Sequence, residues 1–252
     1  MSSLNLKKNS ALPISLQNGR VIFGKETTKP KVEIKSYKKY RNFFKDQKLD
    51  KDKKMYYIYR NSCLRKDESV FNKNGLRYDI TVIQPGKIGQ EPSRTIGHIH
   101  KSLPKIGRPS EIYQVIRGKA IFILHNLKTN TIYPIERTAN QKIIISGNNA
   151  HITINADVKN PLVVANIFIN KKNVSDYSFF KKTQGPAWYP IVSKNKIQFI
   201  KNQKSNSKTK LAPISKKYSF PKSIKINKKE PLYEEFLKNP KKFSFLNSAK
   251  KA

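Results

Sequence analysis

Residues 94–124 read RTIGHIHKSLPKIGRPSEIYQVIRGKAIFIL, and this stretch decides how the chain is read. His98 and His100 stand two apart. On a strand, positions i and i+2 point to one face, so both imidazoles enter the same side of a barrel. After the loop KSLPKIGRPS, Glu111 opens the strand EIYQVIRG, and Gly118 is expected to close a hairpin into KAIFIL. His151 begins HITIN, with Asn155 following on the same strand. Working outward, MYYIYRN, LRYDITVIQPG, NTIYPIE, QKIIIS and PLVVANIFI are short runs rich in Val, Ile, Thr and Tyr. Gly, Pro, Asn or Lys punctuates them every 8–12 residues or so, the pattern of an antiparallel sandwich or barrel. LHNLKTNTIYPI predicts a hairpin with Lys128-Thr129-Asn130 near its tip. His125, in IFILHN, reads as an ordinary strand residue.

Towards the ends the patterning fades. Residues 1–30 are polar and aperiodic, which predicts a flexible basic arm. In residues 31–54, Tyr37, Tyr40, Phe43 and Phe44 fall at helical spacing and predict a short helix against the barrel. The main domain is expected over 31–192. Residues 193–252 form a Lys-rich extension, expected to be largely disordered or ordered only against a partner. Within it, Pro231 opens a possible short helix over 231–238 with Leu232, Phe236 and Leu237 on one face.

The 252 residues include 52 Lys and Arg against 16 Asp and Glu, a formal net charge of +36. The excess is spread along the chain, at +10 over residues 1–55, +12 over 56–192 and +14 over 193–252. Such a charge implies non-specific affinity for polyanions, nucleic acid included, or attraction of a small anionic substrate. No recognition motif with interleaved stacking aromatics accompanies it. The longest apolar run, Leu162–Ile169, is far too short to span a bilayer, so no membrane insertion is expected. Met1–Leu16 lacks the apolar core of a secretory signal. Cys63 is the only cysteine, which excludes an internal disulfide and suits the cytoplasm, while the acid-free first 25 residues leave organellar targeting open.

Taken together, HxH, then Glu111 with Gly118, then His151 with Asn155, resemble the two-part signature of the cupin barrel. The resemblance implies an all-β fold, a single double-stranded β-helix or jelly roll. It also implies one divalent metal held by His98, His100, Glu111 and His151. Three imidazoles and a carboxylate suit Fe²⁺, the first expectation, or Mn²⁺, Ni²⁺ or Zn²⁺.

The flanks are more specific. MYYIYRN, RYDITVIQPGKIGQE, RTIGHIH, EIYQVIRGKAIFIL, AHITIN and QGPAWYPI resemble the cupin-type glucose-6-phosphate isomerases of archaea and some bacteria, over residues 31 to 192. That family's activity is the interconversion of glucose 6-phosphate and fructose 6-phosphate. By this resemblance Glu111 is both ligand and catalytic base. Thr81, Thr95 and the Gly97 backbone hold the substrate phosphate, and Tyr113 lines the sugar pocket. The partners implied are a sugar phosphate and a second copy in a homodimer. Two departures bear on efficiency and substrate choice. Ser146-Gly147-Asn148-Asn149-Ala150 stands where the family has Pro-Pro and an aromatic, and Phe168 stands where a polar-tipped aromatic can occur. Mannose-6-phosphate isomerisation, or a non-catalytic barrel recruited to nucleic acid or a ribonucleoprotein by its charge, are the alternatives.

Overall fold

The computed structural model describes residues 3–247 apart from positions 195 and 207. Residues 1–2 of the expected arm and 248–252 of the expected extension lie outside the described residues. The chain's β-branched runs become two facing antiparallel sheets. The larger has six strands in the order Lys142–Ile145, Glu111–Arg117, Leu162–Ile169, Leu76–Ile83, Lys54–Arg60 and Lys31–Ser36. The smaller runs Asn149–Asn155, Lys119–Asn126, Thr131–Thr138, with Lys210–Leu211 added in parallel at its edge. This interleaving of strands distant in sequence is the jelly roll that the signature implied. Its core is the inner faces of the two sheets, where Val115, Phe122, Ile145 and Ile152 pack together fully buried.

The hairpin tip at 128–130 forms as expected between Lys119–Asn126 and Thr131–Thr138, with Asn130 in the left-handed region at φ 47°. Gly118 behaves differently from expectation. It does not close a hairpin, because the strands on its two sides pair within different sheets. At φ 93°, and next to a register shift between Val115 and Arg117, Gly118 is a corner where the chain crosses from one sheet to the other.

The larger sheet is buried on both faces, and this revises the reading of both chain ends. Residues 4–23 are not a loose arm. Leu4–Asn5, Ile14–Gln17 and Arg20–Phe23 form a three-stranded sheet whose Leu12, Ile14 and Val21 cover the outer face of the barrel. The C-terminal extension is likewise ordered over most of its described length. Lys196–Lys201 pairs with Trp188–Ser193, and Ile224, Leu232, Phe236 and Phe243 complete the outer cover. Each segment has too few apolar residues to fold alone. Both gain stability because Tyr78, Ile80, Val163 and Ile167 offer an apolar surface to bury against.

The short helix appears as Leu232–Lys238, but its buried side is Leu232, Tyr233, Glu235 and Phe236, with Leu237 only half-buried. Polar bonds seat it. Lys142 Nζ donates to the Glu235 carboxylate at 2.9 Å and to the Glu230 carbonyl at 2.6 Å, and the Leu232 amide donates to Gln114 Oε1 at 2.7 Å.

The expected helix within 31–54 is confined to Tyr37–Tyr40, followed by a 3₁₀ turn at Arg41–Phe43. Lys31–Ser36 is instead the edge strand, because Val32 and Ile34 alternate with Glu33 and Lys35, the period of a strand. Among the described residues no helix is long and apolar enough to cross a membrane.

Candidate metal centre

The GHIH segment lies along the edge of the smaller sheet. The His98 amide donates to the His151 carbonyl at 3.2 Å, and the His151 amide returns the bond at 2.9 Å. His100 follows on the short strand Ile99–His100, paired with Ser175–Asp176. Across the barrel, Glu111 opens its strand on the larger sheet. These segments bring the four side chains together: one donor atom from each of His98, His100, Glu111 and His151 lies within 4.8 Å of the others. The imidazole centroids are 4.3 Å apart for His98 and His151, and 5.1 Å for His98 and His100.

Around this cluster the polar bookkeeping is complete except at its centre. His100 Nδ1 donates to the Pro109 carbonyl at 2.8 Å, which leaves the lone pair on Nε2. Asn166 Nδ2 donates to Glu111 Oε1 at 2.7 Å, turning Oε2 inward. Glu111 Oε2 then stands 3.3 Å from His100 Nε2 and 3.5 Å from His151 Nε2. These three inward atoms are buried and lack a hydrogen-bond partner. Buried polar atoms are normally satisfied, and convergent orphans of this chemistry fit a divalent cation.

Electrostatics point the same way. Burial, reinforced by the neighbouring histidines, holds His98 well below the usual imidazole range, and burial also lowers His151. Neutral imidazoles are what a metal requires. Burial pushes the Glu111 carboxyl up, but hydrogen bonding and charge from His100 and His151 more than reverse this, leaving it well below the carboxylate range.

A cavity of about 610 Å³, its mouth included, opens over the cluster. Thr81, Thr95, Gly97, His98, Glu111, Tyr113 and His151 all border it, while His100 sits behind. Gly97 has φ 81°, and a Cβ there would come within 2.5 Å of Ile152 and 2.7 Å of Phe180, so only glycine fits. Thr95 is held by its Oγ1, which accepts from the Thr153 amide at 3.0 Å. Burial and the Glu111 charge push the Tyr113 hydroxyl well above its ordinary range, so it stays a donor. The Ser146–Ala150 segment does not border the cavity, and Gly147 is pressed instead against the Arg108 carbonyl. Phe168 packs beside His100, its ring centroid 4.3 Å away.

Sequence reasoning did not single out Arg60, Arg77, Asn166 or Tyr177, which also border the cavity. Three of them carried a signal in their phase. Arg77 and Thr81 share one strand face, Arg60 shares a face with Tyr56, and Asn166 with Phe168. His125 is apart from the cluster, with Nε2 bonded to Asn130 Oδ1 at 3.0 Å. Cys63 is buried, which pushes its thiol up to about 11, away from nucleophilic use.

Among solved structures, the chain resembles oxalate oxidase at 17% identity, covering 48% of this chain and 53% of that one, with a TM-score of 0.36. Lactobacillus farciminis oxalate decarboxylase gives 18% identity, 49% and 31% coverage, and a TM-score of 0.37. An RmlC-like cupin from Shewanella frigidimarina gives 11%, 47% and 79%, and 0.31. The chain thus spans about half the length of the oxalate oxidase it matches. No curated protein matches it. The family described as "Glucose-6-phosphate isomerase (GPI)" matches residues 34–208, the greater part of the chain and all of the cluster. The chain belongs to the glucose-6-phosphate isomerase family in its cupin form.

Proposed function

We propose that this protein is a metal-dependent aldose–ketose isomerase interconverting glucose 6-phosphate and fructose 6-phosphate. The observation that carries the reading is the convergence of His98, His100, Glu111 and His151 under a cavity that Thr81, Thr95, Gly97 and Tyr113 also border, in a chain of this family. The four would hold one divalent metal, Fe²⁺ first, which supplies a Lewis acid for the carbonyl and hydroxyl oxygens at C1 and C2.

The remaining work belongs to the protein. The hydroxyls of Thr81 and Thr95 and the Gly97 amide are short donors that hold the phosphate without blocking a narrow mouth. Tyr113 donates to a sugar oxygen, and its fixed place beside Glu111 orients the open chain. Glu111 is held as a carboxylate, with Asn166 on Oε1. It moves the proton between C1 and C2 through Oε2. The buried aromatic surround of Tyr56, Phe168 and Tyr177 excludes water from the reacting carbons.

The test strips the protein with chelator and reloads it in turn with Fe²⁺, Mn²⁺, Ni²⁺ and Zn²⁺. Fructose 6-phosphate turnover is then read through a coupled dehydrogenase, with His151→Ala as control. Metal-dependent turnover lost in the variant is the expected result. A folded, metal-loaded protein without turnover would remove the isomerase reading and favour a non-catalytic barrel recruited through the +36 charge.

A further inference from the structure

Two arginines on the cavity wall have no part in the isomerase reading above. Arg77 and Asp79 share the inner face of their strand with Thr81. Across the sheet Tyr113, Asn166 and Asp79 stand in one row. Asp79 is fully buried, and its Oδ2 accepts from Arg60 Nη1 and from Arg77 Nε, each at 2.8 Å. The Asn61 amide fills Oδ1 at 3.0 Å. One carboxylate therefore fixes two guanidiniums at the cavity.

The remaining donors are only partly used. Arg60 Nη2 reaches Glu33 at 3.1 Å, and Arg77 Nη1 donates to the Ile169 carbonyl at 2.8 Å. Arg60 Nε and Arg77 Nη2 make no hydrogen bond among the described residues. Lys35, nearly buried, adds a third cation 5.3 Å from the Tyr177 ring at the same wall. Arg60, Arg77 and Lys35 thus face Asp79 and Glu33, an excess of positive charge. Thr81, Thr95 and Gly97 are neutral donors and cannot supply it.

We infer that Arg60 and Arg77, locked on Asp79, form an anion-binding wall that receives the phosphoryl group of a phosphorylated ligand and selects it over the unphosphorylated sugar. The choice of a phosphoryl group rests on the isomerase reading, while the wall's affinity for an anion rests on its geometry and charge. Guanidiniums held in fixed orientation bind such oxyanions more strongly than neutral donors do.

The experiment titrates the metal-loaded, full-length protein with fructose 6-phosphate, inorganic phosphate and fructose by calorimetry. The natural protein is expected to bind fructose 6-phosphate at least about tenfold more tightly than fructose, with inorganic phosphate competing. Arg77→Gln should weaken fructose 6-phosphate binding by about tenfold, leave fructose binding and metal content unchanged, and be partly rescued by Arg77→Lys. The exposed Lys128→Gln should change nothing. If Arg77→Gln fails to fold, Arg60→Gln takes its place, since that side chain is 33% exposed. Affinity for fructose 6-phosphate within twofold of the natural protein in the Arg→Gln variant overturns the inference, and so does a natural protein that binds neither phosphate ligand. Arginine-dependent binding without turnover would sink the isomerase reading and leave the wall standing. Turnover with KM unmoved by Arg77→Gln would do the reverse.

Discussion

The strand Leu162–Ile169 has two faces that behave oppositely. Leu162 and Val164 look into the barrel, and on the same side Asn166 reaches the Glu111 carboxylate. Val163, Ala165 and Ile167 look outward onto the segments from the two chain ends. The outer face is apolar and satisfied. Its polar groups are paired, as Lys142 is with Glu235 at 2.9 Å. The inner face, at its open end, keeps orphaned ring nitrogens and a carboxylate oxygen. Stability and chemistry are therefore assigned to opposite sides of one sheet, and the orphans are tolerable because the other side supplies apolar burial.

Removing everything after Pro221 would break this division most severely. Ile224, Leu232, Phe236 and Phe243 would leave the outer face, and the truncated chain should be insoluble or unfolded although every site residue remains. Circular dichroism and sedimentation check this, and a soluble, cooperatively folding fragment would show that the outer cover is dispensable. A single-residue version is milder. Phe236 is fully buried and stacked on Phe71 at 4.4 Å, so Phe236→Ala should cost about 3–5 kcal/mol in denaturant unfolding. Metal stoichiometry in the surviving folded protein should be unchanged. The smallest effect belongs to the inner face. Asn166→Ala frees Glu111 Oε1 and should weaken metal affinity by roughly 10–100-fold. Competition with a chelator measures it. An unaltered affinity would mean that Asn166 orients nothing.

Much of the site was legible in the chain itself, and the reason is periodicity. His98 and His100 converge because strand side chains alternate, and their partners Glu111 and His151 open strands that end at the same mouth. Gly97 was legible through motif and is explained by φ 81° with Ile152 and Phe180 close by. Arg60 and Arg77 were not, because an arginine on a strand looks like one more solvated cation in a chain of net charge +36. Only the placement of Asp79 between them gives the pair a position. The order of the chain ends was missed for a related reason. Residues 4–23 and 224–246 carry isolated apolar residues whose burial depends on a surface made elsewhere in the chain. The one local sign of it was the unbroken run LVVANIFI, since a strand solvated on one face would alternate.

By itself, then, the sequence determined the barrel, the hairpin at 128–130 and the identity of the four converging donors, because each depends on spacing along a strand. Tertiary structure alone decided that Gly118 is a corner between sheets, that both chain ends close the outer face, and that two arginines share one buried carboxylate at the cavity. These depend on contacts between segments far apart in the chain, where the free energy of burial and pairing is set by the partner surface and not by local pattern.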